Sequence, residues 1–239
     1  TALANDPRMR AFAIQLGRTA STPKLPEWEF IATRLLEQSE RAIRGATPPD
    51  SALATLDHIV NTLLEKRRWL MTRRTAAGGE ALRNFRAERI RYGEAPAETL
   101  LLFPSNALHA PVQLFIHGGF WMSLEASQFA FLAPGFVPFG AALILIDYPL
   151  IPAVRMADIV ASCRRAIGWV WRHGAAHGLD PERLFISGNS AGGHLVAEMI
   201  DRHWTAEAGL PPNPVKGGVA VSGLYDLAPV GDSFKNDDL

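Results

Sequence analysis

The sequence has one cysteine, no excess of either charge and no long apolar run. Cys163 alone cannot form an intrachain disulfide, which excludes a disulfide-stapled scaffold and fits a reducing compartment, so a cytoplasmic location is expected. The 24 basic and 24 acidic side chains cancel, which argues against a nucleic-acid partner, because such proteins carry a basic excess. No apolar stretch reaches the roughly 18 residues that a bilayer-spanning helix needs, so no membrane partner is expected. The longest, 141–146, ends at Asp147 and is strand-sized. Arg8 and Arg10 precede an apolar patch at 11–16 that is too short for the core of a signal peptide. H-E-x-x-H is absent and His194 with Glu198 is a plain i, i+4 pair, so no metal is expected. Residues 188–193 lack the dinucleotide spacing G-x-G-x-x-G, and His194 stands where a phosphate loop needs lysine, so no cofactor is expected. Internal repeats and low-complexity tracts are missing too.

What is there is a chain of 239 residues, 48% hydrophobic, within the globular range and long enough for one large domain with an appendage. Residues 1–80 read as a helical region. Trp28, Ile31, Leu35 and Ala42 recur at helical spacing after Leu25-Pro26-Glu27, and Gly45 is a natural stop. Asp50 or Ser51 would cap a second helix carrying Leu53, Leu56, Val60 and Leu63. The basic run Lys66-Arg67-Arg68, with Arg73-Arg74, reads as its solvated C-terminal end, where cations complement the helix dipole. Gly78-Gly79 then marks a boundary. The apolar faces of these helices need a partner, either as a cap over a site or as a surface for a second copy of the chain.

From residue 81 onward the pattern changes. Strands are predicted at 89–92, 99–103, 112–116, 141–146, 183–187 and 218–222. Helices are predicted at 156–173, where Ile159, Cys163, Ile167 and Val170 share a stripe, and at 190–202. Cys163 thereby reads as a small core residue. Strands alternating with helices imply an α/β fold, a mostly parallel sheet covered on both faces.

Gly188-Asn189-Ser190-Ala191-Gly192 fits G-x-S-x-G, between a predicted strand and a predicted helix. A serine on that sharp turn projects its hydroxyl from the sheet edge, and small flanking residues let strand and helix close around it. His117-Gly118-Gly119-Phe120-Trp121 follows directly on the strand at 112–116. A glycine pair there lets the backbone approach a substrate and turn its amides inward. Acyl transfer needs such donors at the developing oxyanion, each worth about 2.7–4 kcal/mol of barrier. The expected donors are the N–H groups of Gly119, Phe120 and Ala191, with Ser190 as nucleophile.

These motifs, with Ser222-Gly223-Leu224-Tyr225-Asp226-Leu227 and Ile146-Asp147-Tyr148-Pro149-Leu150, make residues from about Glu88 onward resemble the kynurenine formamidase (arylformamidase) branch of the α/β-hydrolase fold. That branch lies close to the hormone-sensitive-lipase-like esterases. The resemblance implies metal-free hydrolysis of a small aryl formamide or carboxylic ester by way of an acyl-enzyme. It again selects Gly119 and Phe120, places Trp121 in or under the acyl pocket, and makes His117 and Gly118 loop supports. Asn189 departs from the histidine common in the family, and Pro149 from a common arginine.

In that fold an acid and a histidine follow the serine on loops after further strands. No histidine follows His203, Asp226 lies too close behind its strand, and Asp232, Asp237 and Asp238 follow no suitable strand. The triad acid and base therefore stay unidentified, and residues 81–239 are expected to form a hydrolase core lacking its last strands. Three explanations stay open: a shortened form of a longer hydrolase, completion by a second polypeptide, or a non-catalytic binding protein that keeps the pocket.

Overall fold

The computed structural model describes residues 28–228; the basic N-terminal patch, Leu25-Pro26-Glu27, Asp232, Asp237 and Asp238 lie outside them. The chain divides into two compact units at Arg67/Arg68.

The first unit holds helix α1 (Trp28–Ile43) and the start of α2 (Pro49–Asn84). Gly45 ends α1 as expected, in the left-handed region at φ 69°, its N–H on the Ala42 carbonyl. Pro49 opens α2, where a missing N–H costs nothing. Ile31 and Ala52 are buried, while Leu35, Leu36, Ile43 and Leu53 stay exposed.

α2 runs further than its sequence pattern predicts. The helix does not end at the basic run or at Gly78-Gly79 but continues for 36 residues to Asn84. Gly78 is used for close packing, not as a break: a Cβ there would lie 2.8 Å from the Ser127 carbonyl oxygen. Arg73 and Arg74 lie over the rings of Trp69 and Phe129, at 4.8 and 4.9 Å, so this part of the run is packed on aromatic faces.

The second unit is a six-stranded sheet of order β1-β2-β4-β3-β5-β6. Its strands are β1 (Glu88–Arg91), β2 (Thr99–Phe103), β3 (Ala110–Ile116), β4 (Ala142–Ile146), β5 (Leu179–Asn189) and β6 (Gly217–Val221). β1, β2 and β4 pair antiparallel, and β4, β3, β5 and β6 pair parallel. The period-2 alternation of strands sorts the side chains into two layers. Leu100, Leu102, Val112, Leu114, Ile116, Ile144 and Ile146 meet helices α3 (Met156–His173) and α4 (Ala191–Ile200). Cys163 lies in that layer, where burial pushes its thiol up to about 12. Leu101, Phe103, Leu143 and Leu145 meet Ala81 and the 3-10 segment Ala126–Gly135. β4 is buried along its whole length, as its unbroken apolar run predicts. Among the described residues no helix is long and apolar enough to cross a membrane.

Candidate active site

The parallel register decides which loops meet. Ile116 pairs with Ile146 on one side and with Gly188 on the other. The residues that follow, His117, Asp147 and Asn189-Ser190, therefore emerge side by side at the carboxyl edge of the sheet, where open α/β sheets bind ligands.

Ser190 takes φ 56° and ψ −120°, a conformation that costs a non-glycine residue on the order of 1–3 kcal/mol. Its surroundings impose the turn. The Ser190 N–H donates to the Val221 carbonyl at 2.8 Å, and the His194 N–H to the Ser190 carbonyl at 3.1 Å. A Cβ on Gly188 would lie 2.3 Å from the Gly192 oxygen, and one on Gly192 would lie 2.0 Å from the Ile116 oxygen. Both glycines of G-x-S-x-G are thus required by backbone proximity. The Ser190 side chain does not cap α4, and the Ala191 N–H donates to no acceptor among the described residues. The positive end of the helix faces the turn.

The His117-Gly118-Gly119 loop lies against this elbow. A Cβ on Gly118 would fall 2.6 Å from the Asn189 oxygen and 3.3 Å from the Ser190 Cβ. Gly119, Phe120 and Trp121 all have positive φ, at 111°, 57° and 58°, so strained backbone gathers on both sides of one place. The Gly119 N–H also donates to no acceptor among the described residues. Trp121 is fully buried, edge-on to the His194 ring at 5.3 Å, and its carbonyl accepts from the Ile151 N–H.

His117 is buried. Its Nδ1 lies 2.7 Å from the Gly118 carbonyl, which can only accept, so the proton sits on Nδ1. Burial lowers the His117 pKa below the ordinary value even though the Gly118 bond and Asp147 oppose the shift, so the ring is neutral near pH 7. Burial lowers His194 as well, against the nearby Glu198. Neither ring hydrogen-bonds Ser190: His117 faces Phe129 and Tyr148, and His194 faces Trp121. Among the described residues the Ser190 hydroxyl has no histidine or carboxylate partner.

Two further residues of this edge, Asp147 and Tyr148, hold the loops together. Asp147 ties three elements together, accepting from Arg89 at 3.0 Å, from the Thr99 hydroxyl at 3.3 Å and from the Ala126 N–H at 2.6 Å. The Tyr148 hydroxyl donates to the His117 carbonyl at 2.8 Å. The signal available was their place directly after β4, one strand from His117.

Residues 113–238 match the family profile described as an alpha/beta hydrolase fold. Kynurenine formamidase of Danio rerio is 32% identical over 151 residues, 62% of this chain and 49% of that protein. A candidate thioesterase from Silicibacter sp. TM1040 superposes with a TM-score of 0.61 at 30% identity, over 70% of this chain and 62% of that one. Carboxyl esterase 2 of Tuber melanosporum gives 0.52 at 26%, over 60% and 47%. The chain spans about half the length of the curated relatives it matches.

Proposed function

The chain belongs to the α/β-hydrolase fold family, and on that premise we propose that it carries the nucleophile half of a serine hydrolase acting on a small aryl formamide or carboxylic ester. The observation that carries the reading is Ser190, held at φ 56° between β5 and α4 with the Gly118 backbone against it. In the proposed reaction the Ser190 oxygen attacks the substrate carbonyl while a general base takes its proton. The tetrahedral oxyanion is met by the N–H groups of Gly119, Phe120 and Ala191, and each well-placed donor lowers the barrier by about 2.7–4 kcal/mol. Collapse breaks the C–N or C–O bond, returns the proton to the departing amine or alcohol, and leaves an acyl-Ser190 ester that water hydrolyses. The proposal places the base and its acid outside the described residues.

The kynurenine formamidase similarity supports the formamide, and the Tuber esterase likeness supports the ester. A fluorophosphonate probe tests the nucleophile: Ser190 is labelled and Ser190→Ala is not, whereas equal labelling of both forms removes the assignment. Comparing N-formylkynurenine with p-nitrophenyl acetate separates the two substrate classes. A second reading, a binding protein that keeps the pocket without turnover, is favoured by the lack of a histidine partner for Ser190 among the described residues. Tight, saturable binding of an acyl compound with neither labelling nor turnover selects it.

A further inference from the structure

Three consecutive carbonyl groups after β3 are each held by a donor. The Tyr148 hydroxyl holds that of His117 at 2.8 Å, and the His117 Nδ1–H holds that of Gly118 at 2.7 Å. The Gly119 carbonyl accepts from the N–H groups of Met122 and Ser123 at 3.1 Å each, and from the Ser123 hydroxyl at 2.9 Å. A trans peptide is planar, with its N–H directed opposite its C=O. Holding these carbonyls therefore sets the direction of the N–H groups of Gly118, Gly119 and Phe120 in turn.

We infer that Tyr148 is a positioning residue for the oxyanion donors, acting through the His117 loop support that the resemblance implies; the role rests on the proposed function of Gly119 and Phe120. A glycine pair lets the backbone come close to a substrate but has little conformational preference of its own, so it does not hold a direction. The aromatic pair supplies what the glycines lack. Tyr148 acts twice: its hydroxyl fixes the His117 carbonyl, and its ring stacks on the imidazole with centroids 4.3 Å apart and 13° between planes. Phe129 lies nearly parallel to the imidazole, with centroids 6.1 Å apart and 16° between planes. Packed against these rings, the imidazole keeps Nδ1 on the Gly118 carbonyl. Nδ1 carries a proton whether the ring is neutral or charged, so the hold survives protonation. Donors aimed before substrate arrives need no reorganisation during reaction.

The test is amide order, read by 15N relaxation at Gly118 and Gly119. Tyr148→Phe keeps the stack and removes only the hydroxyl; His117→Phe keeps a ring and removes the Nδ1 donor. Order parameters at these glycines are expected to fall from about 0.85 to below about 0.6, with the midpoint of thermal unfolding lowered by a few degrees because each variant leaves a buried carbonyl without its donor. Fluorophosphonate labelling of Ser190 slows about tenfold, less than the loss of a whole donor. Tyr92→Phe removes another buried tyrosine hydroxyl and leaves both amides ordered. Unchanged order in Tyr148→Phe and His117→Phe, or an equal loss in Tyr92→Phe, overturns the inference. A parent chain that is not labelled, with order that still responds to the variants, supports the positioning and overturns the nucleophile instead. If the variants do not fold, carbonyl 13C shifts of His117 and Gly118 in the unsubstituted chain decide. Downfield, hydrogen-bonded values support the inference, and water-exposed values overturn it.

Discussion

The carbonyl oxygen of Ile116 lies 2.0 Å from the point where a Cβ on Gly192 would sit. Both groups are backbone, one ending β3 and the other in the first turn of α4, so neither can swing aside. Gly192→Ala should therefore cost about 3 kcal/mol, at the upper end of overpacking, and should slow labelling of Ser190. Gly135→Ala, where nothing lies within 4 Å, should change stability by less than about 1 kcal/mol. Urea unfolding of the two variants measures the contrast.

Stability should decline on the acid side in two stages. His117 and His194 have folded pKa values lowered by burial, so the unfolded chain binds protons first as pH falls. Their contribution is complete above the unfolded value of about 6.5 and is lost as pH drops through the lower folded values. Glu98 follows at lower pH. Burial pushes its carboxyl up, but the Arg165 guanidinium and the Ala95 N–H outweigh that and leave it below the ordinary value. Unfolding midpoints measured from pH 8 to pH 3 should fall continuously; a maximum near pH 5 would contradict this.

The Glu98 carboxylate is buried, while Arg165 is half exposed. Arg165 Nε donates to it at 2.7 Å, with a second bond from Nη2, and the Ala95 N–H donates at 3.1 Å. Arg165→Met should cost about 2–3 kcal/mol, because it strands a buried acceptor. It should also raise the Glu98 pKa, moving the acid limb of the stability curve upward. Glu98→Gln, which keeps an acceptor and removes the charge, should cost less.

Val219 is 62% and Val221 49% exposed, on the same sheet face as the half-exposed Phe185, and β6 is an edge strand among the described residues. Its residues, Gly217 to Val221, carry no charge that would discourage pairing. Sedimentation velocity should show association that grows with concentration. Val219→Lys and Val221→Lys should weaken it while changing stability by less than about 0.5 kcal/mol. A large destabilisation would mean that these positions are covered.

The second unit was legible because its signals are local. Thr99–Phe103 and Met156–His173 were bounded to the residue, the first by its β-branched and leucine run, the second by its apolar stripe. The elbow was legible because a serine between glycines, after a strand and before a helix, has a mechanical reason. α2 was misread because Gly78 and the basic run are ambiguous in one dimension. A glycine that ends a helix and one that admits a neighbouring carbonyl look alike until Ser127 is placed beside it. Tyr148 and Asp147 stayed without roles for the same reason. Their partners lie 31 and 58 residues away; the β3–β4 register brings Tyr148 to His117, and the β1–β2 and β2–β4 registers bring Arg89 to Asp147.

The bond from the Ser190 N–H to the Val221 carbonyl has a consequence in time. A chain made from its N-terminus has the G-x-S-x-G segment some thirty residues before it has the acceptor that helps hold Ser190 in its turn. β5, which carries the segment, must also find β3 across about seventy residues, and such long-range pairing is slow. A nascent chain is expected to carry the serine in ordinary, unstrained backbone until β6 has left the ribosome. On the proposed function, reactivity toward acyl groups would then arrive late, after most of the sheet is in place.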